Sequence, residues 1–192
     1  MLSNIKKKDL FIYLGVLAFA LIAPNVFSDY RIQFTFWLVL IILAITWNIQ
    51  GGEMGYNTFG NIMFFGVGMY VCSGIQIGLF FDLAEWTVSG GEKTFIHTPD
   101  QYFQGLWIGL LAAAIIPAII ALIIGYGVLG LRGHYFAICT LGIGIASGEI
   151  AGGIELIGAG QGMTAPPWPK DIGGTEYRNE FFYYLTLALF VM

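Results

Sequence analysis

Between Asn48 and Tyr70 the chain reads NIQGGEMGYNTFGNIMFFGVGMY, placing six glycines, three asparagines, a threonine and a glutamate between two strongly apolar runs. The chemistry these residues offer is ligand presentation: free backbone N–H and C=O groups, amide and hydroxyl side chains, and close helix approach. In hydrocarbon an unpaired polar group costs several kcal/mol, so irregular polar backbone survives there only inside protein or beside water. Transporters build substrate sites from broken helices of this kind, with the freed backbone groups turned to the ligand. The same residues also suit a glycine-rich turn at the membrane surface that leads into a helix with a small-residue packing face. Composition leaves both readings open.

A second chemically notable residue is Glu149, set in a run rich in glycine (Gly142, Gly144, Gly148, Gly152 and Gly153). An ionisable group inside a span is costly and points either to function or to a hydrogen bond with a neighbouring helix. Glu155 falls nearer the end of the run and reads as interfacial. His97 and His134 have no second His or Cys at ligand spacing, so no metal site is expected. Cys72 and Cys139 both sit in apolar runs and read as small packing residues rather than a disulfide. An intramembrane enzyme would need convergent His, Asp, Ser or metal ligands on adjacent spans, and no such set is found.

The elements that must position these residues follow from composition. Of 192 residues, 57% are hydrophobic and only 10% charged, with a mean hydropathy of +0.77 and a net charge of −4. Soluble domains carry about 25% charged residues, so this chain has too little polar surface to be one. It reads as an all-α integral membrane protein embedded in the lipid bilayer. No basic cluster occurs beyond Lys6 to Lys8, which argues against a nucleic-acid partner.

The chain divides into one transmembrane domain over 1–192 with spans expected at about 10–26, 34–49, 62–81, 105–129, 135–157 and 181–192. Lys6, Lys7 and Lys8 precede the first apolar run; Pro24 after the small residue Ala23 disfavours signal cleavage, so this is an uncleaved helix with a cytoplasmic N-terminus. Gly66, Gly74 and Gly78 recur on one face of the third span and permit close helix contact. Pro117 in the fourth predicts a kink. External loops are expected at 82–104 and 158–180; the first is either a docking surface or a solvated connector. The twelve residues of the last segment rise only about 18 Å, short of a roughly 30 Å hydrocarbon core, so about five full spans and a truncated sixth are expected. Lys and Arg divide evenly on this topology, with Lys6, Lys7, Lys8 and Arg132 inside and Arg31, Lys93, Lys170 and Arg178 outside; orientation rests on the N-terminal lysines.

Three stretches together resemble the permease subunits of ABC importers for branched-chain amino acids, the LivM-like branch. The first supplies Trp47, Asn48, Gly52, Gly55, Tyr56, Asn57, Thr58, Gly60, Phe64, Phe65, Gly66, Gly68 and Tyr70 at the family's spacing. The second is Leu131-Arg132-Gly133-His134-Tyr135-Phe136-Ala137-Ile138 followed by Thr140-Leu141-Gly142, and the third is Gly158-Ala159-Gly160-Gln161-Gly162-Met163 with prolines after it. Each motif alone is weak; all three in order over about 47–167 are fairly specific. The chain departs from the family at Glu53, where an uncharged residue is usual. It departs again after the Thr-Leu block, where the acid falls at Glu149 with Ile145 in its place.

The resemblance implies a transport subunit in a bacterial or archaeal plasma (inner) membrane that binds no cofactor and leaves ATP hydrolysis to others. Its partners would be a second permease subunit, two cytoplasmic ATPase subunits and an external substrate-binding protein. Gly52, Gly55, Tyr56, Asn57, Thr58, Gly60, Asn61 and Glu149 would face or brace the substrate path, with Phe64 and Phe65 as apolar gate. Arg132, Gly133 and Tyr135 would form a family-like turn. The frame is also similar to urea and amide permeases. The family's cytoplasmic coupling loop is expected beyond Met192, so the chain reads as an N-terminal fragment or a non-transporting remnant.

Overall fold

The structure is a computed structural model and describes residues 7–89 and 95–191; of residues 7–10 and 12–14 it describes the backbone alone. The expectations placed on the N-terminal lysine side chains, on residues 90–94 of the first polar loop and on Met192 lie outside what is described. The described residues are helical: α1 (Lys7–Val26), α2 (Arg31–Trp47), α3 (Asn61–Gly78), α4 (Leu83–Ser89), α5 (Pro99–Val128), α6 (His134–Gly153) and α7 (Thr175–Val191). Four helical stretches among them are long and apolar enough to cross a membrane: Ser28–Glu53, Asn61–Gly78, Pro99–Val128 and His134–Gly153. The protein is an all-α membrane protein.

Two helices begin earlier than their apolar runs. α5 starts at Pro99 because Thr98 forms a capping box: its hydroxyl accepts from Gln101 N at 3.4 Å while Gln101 Oε1 accepts from Thr98 N at 3.1 Å. Pro99 sits at the first helical position, where its missing N–H costs nothing. α7 starts at Thr175, ahead of the apolar onset at 181. α4 lies within the first expected loop, opened by Asp82 Oδ1 accepting from Ala84 N at 2.8 Å and Glu85 N at 3.1 Å.

The chain forms two compact units, one from residues 1–45 with 173–192 and one from 46–172. In the first, Leu38, Tyr183 and Leu187 make the buried core, with Ala20, Phe34, Tyr184 and Phe190 packed on it. Arg31 pairs with Glu180 at 3.6 Å and also donates to Pro24 O at 2.8 Å. Because Arg31 meets Glu180 and Leu38 meets Leu187, α2 and α7 run in the same direction.

In the second unit α3 and α5 run antiparallel, and two glycines on α5 set their separation. A Cβ at Gly105 would lie 2.9 Å from Gln76 Cγ, and one at Gly109 would lie 2.7 Å from Cys72 O. This is a small-xxx-small contact, which lets helix backbones approach where lipid supplies no hydrophobic drive. The glycines expected to do this on α3 do not: Gly66 and Gly78 have nothing within 4 Å, and Gly74 meets only Met163 Cε at 3.9 Å. Cys72 and Cys139 are free thiols.

Candidate functional site

The glycine-rich stretch is a break between α2 and α3 whose backbone groups are largely paired. Asn48–Glu53 forms a π-helical turn, Met54 N bonds Ile49 O at 3.0 Å, and Tyr56 N bonds Gln50 O at 3.0 Å. Gly55 then reverses the chain at φ +74°, a conformation that side chains other than Asn or Asp resist. Thr58 is buried (3% exposed) and closes the reversal: its Oγ1 accepts from Gly60 N at 3.1 Å, and its carbonyl accepts from Trp47 Nε1 at 3.2 Å.

α6 packs directly on this break. Thr140 Oγ1 accepts from Phe59 N at 3.2 Å and donates to Ala137 O at 3.0 Å. A Cβ at Gly60 would lie 3.0 Å from Thr140 O, and one at Gly144 would be 3.7 Å from Gly60 Cα. Glycine is therefore needed at 60 for contact, at 55 for conformation. Tyr56 stacks edge-on against Phe136 with ring centroids 5.0 Å apart.

Where the break, the last two turns of α5 and the first turns of α6 meet, they line a half-open cavity of about 240 Å³. Thr58, Gly60 and Phe64 line it, together with Gln50, Met54 and Met63. The opposite wall is Ala121, Ile124, Gly125 and Val128 of α5, Leu129 at its C-terminal cap, and Phe136, Thr140 and Ile143 of α6. Polar groups are thus few (Gln50, Thr58 and Thr140) in an otherwise aliphatic and aromatic lining.

The other residues singled out from sequence do not line this cavity. Gly52 lies in the π turn against Asn48, where an added Cβ would come within 2.7 Å of Asn48 Oδ1. Asn57 Oδ1 faces Gly51, Asn61 opens α3, and Phe65 is 43% exposed. Glu149 is exposed on α6 with no hydrogen bond or ion pair among the described residues. Arg132 and Tyr135 are exposed on either side of Gly133, whose φ of +60° caps the start of α6 and explains the glycine of that motif. The α5 wall carries no sequence signal, because residues facing a cavity and residues facing lipid are both apolar.

The two polar loops meet at the opposite end of this unit. Trp86 is fully buried and donates Nε1–H to Thr164 O at 3.0 Å, while Thr87 Oγ1, 2.6 Å from Leu83 O, also lies 3.1 Å from Leu156 O. Trp168 packs edge-on against Tyr102 at 5.4 Å. The Gly158–Gly162 turn is glycine-specific: a Cβ at Gly158 would collide with the Gly162 carbonyl, and both residues have positive φ. His97 is buried among Phe81, Trp86 and Phe80, at centroid distances of 4.6, 5.7 and 6.1 Å. Its Nε2 bonds Gln76 O at 3.2 Å, so Nε2 carries the hydrogen, and Nδ1 is left without a partner. Burial pushes the imidazole below its ordinary range, opposed by the Gln76 hydrogen bond.

Comparison with known proteins gives one consistent relationship. The chain is 30% identical over 151 residues to the high-affinity branched-chain amino acid transport system permease protein LivM of Escherichia coli (strain K12). It is 29% identical over the same length to the LivM of Salmonella typhimurium (strain LT2). Each match takes in 73% of this chain and 34% of the relative, so the chain spans about a third of the length of the curated relatives it matches. No family model matches the chain, and no solved structure matches it. The resemblance drawn from the motifs is borne out: over 73% of its length the chain is similar to the LivM permeases.

Proposed function

We propose that the chain is a permease subunit of an ATP-driven importer for branched-chain or related amino acids, and that the cavity beside the helix break is part of the substrate path. The observation that carries this reading is the cavity itself, walled on one side by the motif stretch and on the other by aliphatic residues of α5 and α6. At about 240 Å³ it falls below the roughly 300–1,000 Å³ of drug-sized sites, which suits a ligand of few heavy atoms. Its lining would accept an aliphatic side chain, while Gln50 and Thr58 supply polar groups for the ligand's other end.

The partners in this reading are a second permease subunit, two cytoplasmic ATPases and an external binding protein. ATP binding would favour one of two helix arrangements, and a ligand would move with the change only through its differential affinity for the two. Thr140 ties α6 to the break at Phe59, so a shift of α6 would reshape the cavity rather than leave it unchanged.

The test is uptake of labelled leucine, isoleucine, valine and urea by cells carrying the assembly with Ile124→Trp. Filling the cavity should lower uptake of the branched-chain substrates at least about tenfold, equivalent to roughly 1.4 kcal/mol, with normal membrane insertion. Unchanged uptake would remove the cavity from the path.

A further inference from the structure

In the unit formed by α1, α2 and α7, a groove of about 310 Å³ runs between α2 and α7. Its walls are Ile32, Phe36, Val39 and Phe182, and the first two turns of α7 contribute Arg178 and Asn179 at one end. Thr35 also borders it, but its hydroxyl donates to Arg31 O at 2.9 Å and is not offered to the groove. The apolar length from Ile32 to Val39 is about 10 Å along a helix.

The two arginines of this region differ in their partners. Arg31 pairs with Glu180 at 3.6 Å. Arg178 is half-buried and bonds only the neutral Asn179 Oδ1, from Nε at 3.3 Å and Nη2 at 3.2 Å, with no carboxylate on it among the described residues. A guanidinium at a helix end, above an apolar furrow, is suited to a phosphate, which accepts two of its N–H groups at once. Of the nearby acids, Glu180 is engaged by Arg31, and neither it nor Glu176 of the first turn of α7 lines the groove, whose one charged lining residue is Arg178.

We infer that this groove binds an anionic phospholipid, with one acyl chain laid along α2 and α7 and the headgroup phosphate on Arg178. Basic residues between membrane helices recognise anionic headgroups through the same charge complementarity. The acyl chain covers Phe36, which is 61% exposed, and supplies the rest of the apolar contact.

The experiment is native mass spectrometry of the intact purified assembly, titrated with phosphatidylglycerol, phosphatidylcholine and glycerol 3-phosphate. Phosphatidylglycerol should bind about tenfold more tightly than phosphatidylcholine, and glycerol 3-phosphate should not bind over the same range. Arg178→Gln should weaken phosphatidylglycerol about tenfold, and Arg178→Lys by less. Val39→Trp, which fills the groove and leaves the cation, should weaken both lipids. Wild-type phosphatidylglycerol binding by Arg178→Gln would overturn the site. So would equal binding of glycerol 3-phosphate, or a photo-crosslinker at Val39 that captures protein in place of lipid.

Discussion

Tyr183 donates its hydroxyl to the carbonyl of Ala20 at 2.6 Å, and that carbonyl is the acceptor which Pro24, four residues on, leaves without a helical N–H. The two residues form a pair: proline in α1 is tolerated because a side chain from α7 satisfies the group it strands. In hydrocarbon this matters more than in water, where solvent would take the place of the hydroxyl. Tyr183→Phe should therefore destabilise the protein by about 1 kcal/mol, within the range of interhelical hydrogen bonds in membranes. In a Pro24→Ala background, where the helix can bond Ala20 itself, the same change should cost markedly less. Denaturant titration of the four proteins in a mixed micelle gives the coupling; equal costs in both backgrounds would dissolve the pairing.

Gly109 predicts a contrast within a single helix. A Cβ there would lie 2.7 Å from Cys72 O and 3.3 Å from Cys72 Cα, both backbone atoms that cannot move aside alone. Gly109→Ala should cost about 1–3 kcal/mol as α3 and α5 are forced apart. Gly127, also on α5, has nothing within 4 Å, so Gly127→Ala should be neutral or stabilise by up to about 1 kcal/mol through helix propensity. Thermal denaturation of the two variants side by side decides the matter.

How much of this was legible in the sequence depends on whether the signal was local. The break at 48–60 was legible because glycine and asparagine stand out between apolar runs, and the Gly158–Gly162 turn because its glycines open a polar, proline-rich stretch. Thr98, Pro99 and Gln101 carry a readable capping box, but it lies inside a stretch that composition marks as loop, ahead of the apolar onset at 105. The burial of Trp86 and His97 was not legible, since it depends on Thr164 and Gln76, distant in sequence. Of the site residues, Thr58, Gly60 and Phe64 reach the cavity, whereas Gly55 serves backbone conformation and Glu149 faces outward in this chain. Spacing brings such residues to one segment; it does not say which side of the segment is hollow.

For the break itself, conformation and size can be separated at Gly55. Its φ is +74° and nothing lies within 4 Å, so a side chain meets strain and no collision. Gly55→Asn should keep most of the uptake, because asparagine tolerates this backbone region, whereas Gly55→Val should lose it with a cost of roughly 1–2 kcal/mol or more. If both variants transport equally, the reversal at Gly55 has no part in transport. Thr58→Val tests a different point: it removes the acceptor for Gly60 N inside a buried turn and should cost about 1–3 kcal/mol.

His97 sets the expected pH dependence of the loop cap. Its folded-state pKa lies below the ordinary 6.5, so below about pH 6.5 the unfolded chain takes up a proton that the folded chain resists. The stability contributed by the neutral imidazole is thus complete above 6.5 and is lost as pH falls through the folded-state value. Protonation would place a second N–H, at Nδ1, among Phe80, Phe81 and Trp86 with no acceptor. The parent's melting temperature should fall between pH 7 and pH 5; His97→Gln retains an N–H for the Gln76 carbonyl and does not titrate, so it should flatten that decline. A parent protein whose melting temperature does not fall over that interval, or a variant that falls equally, would locate the pH sensitivity elsewhere.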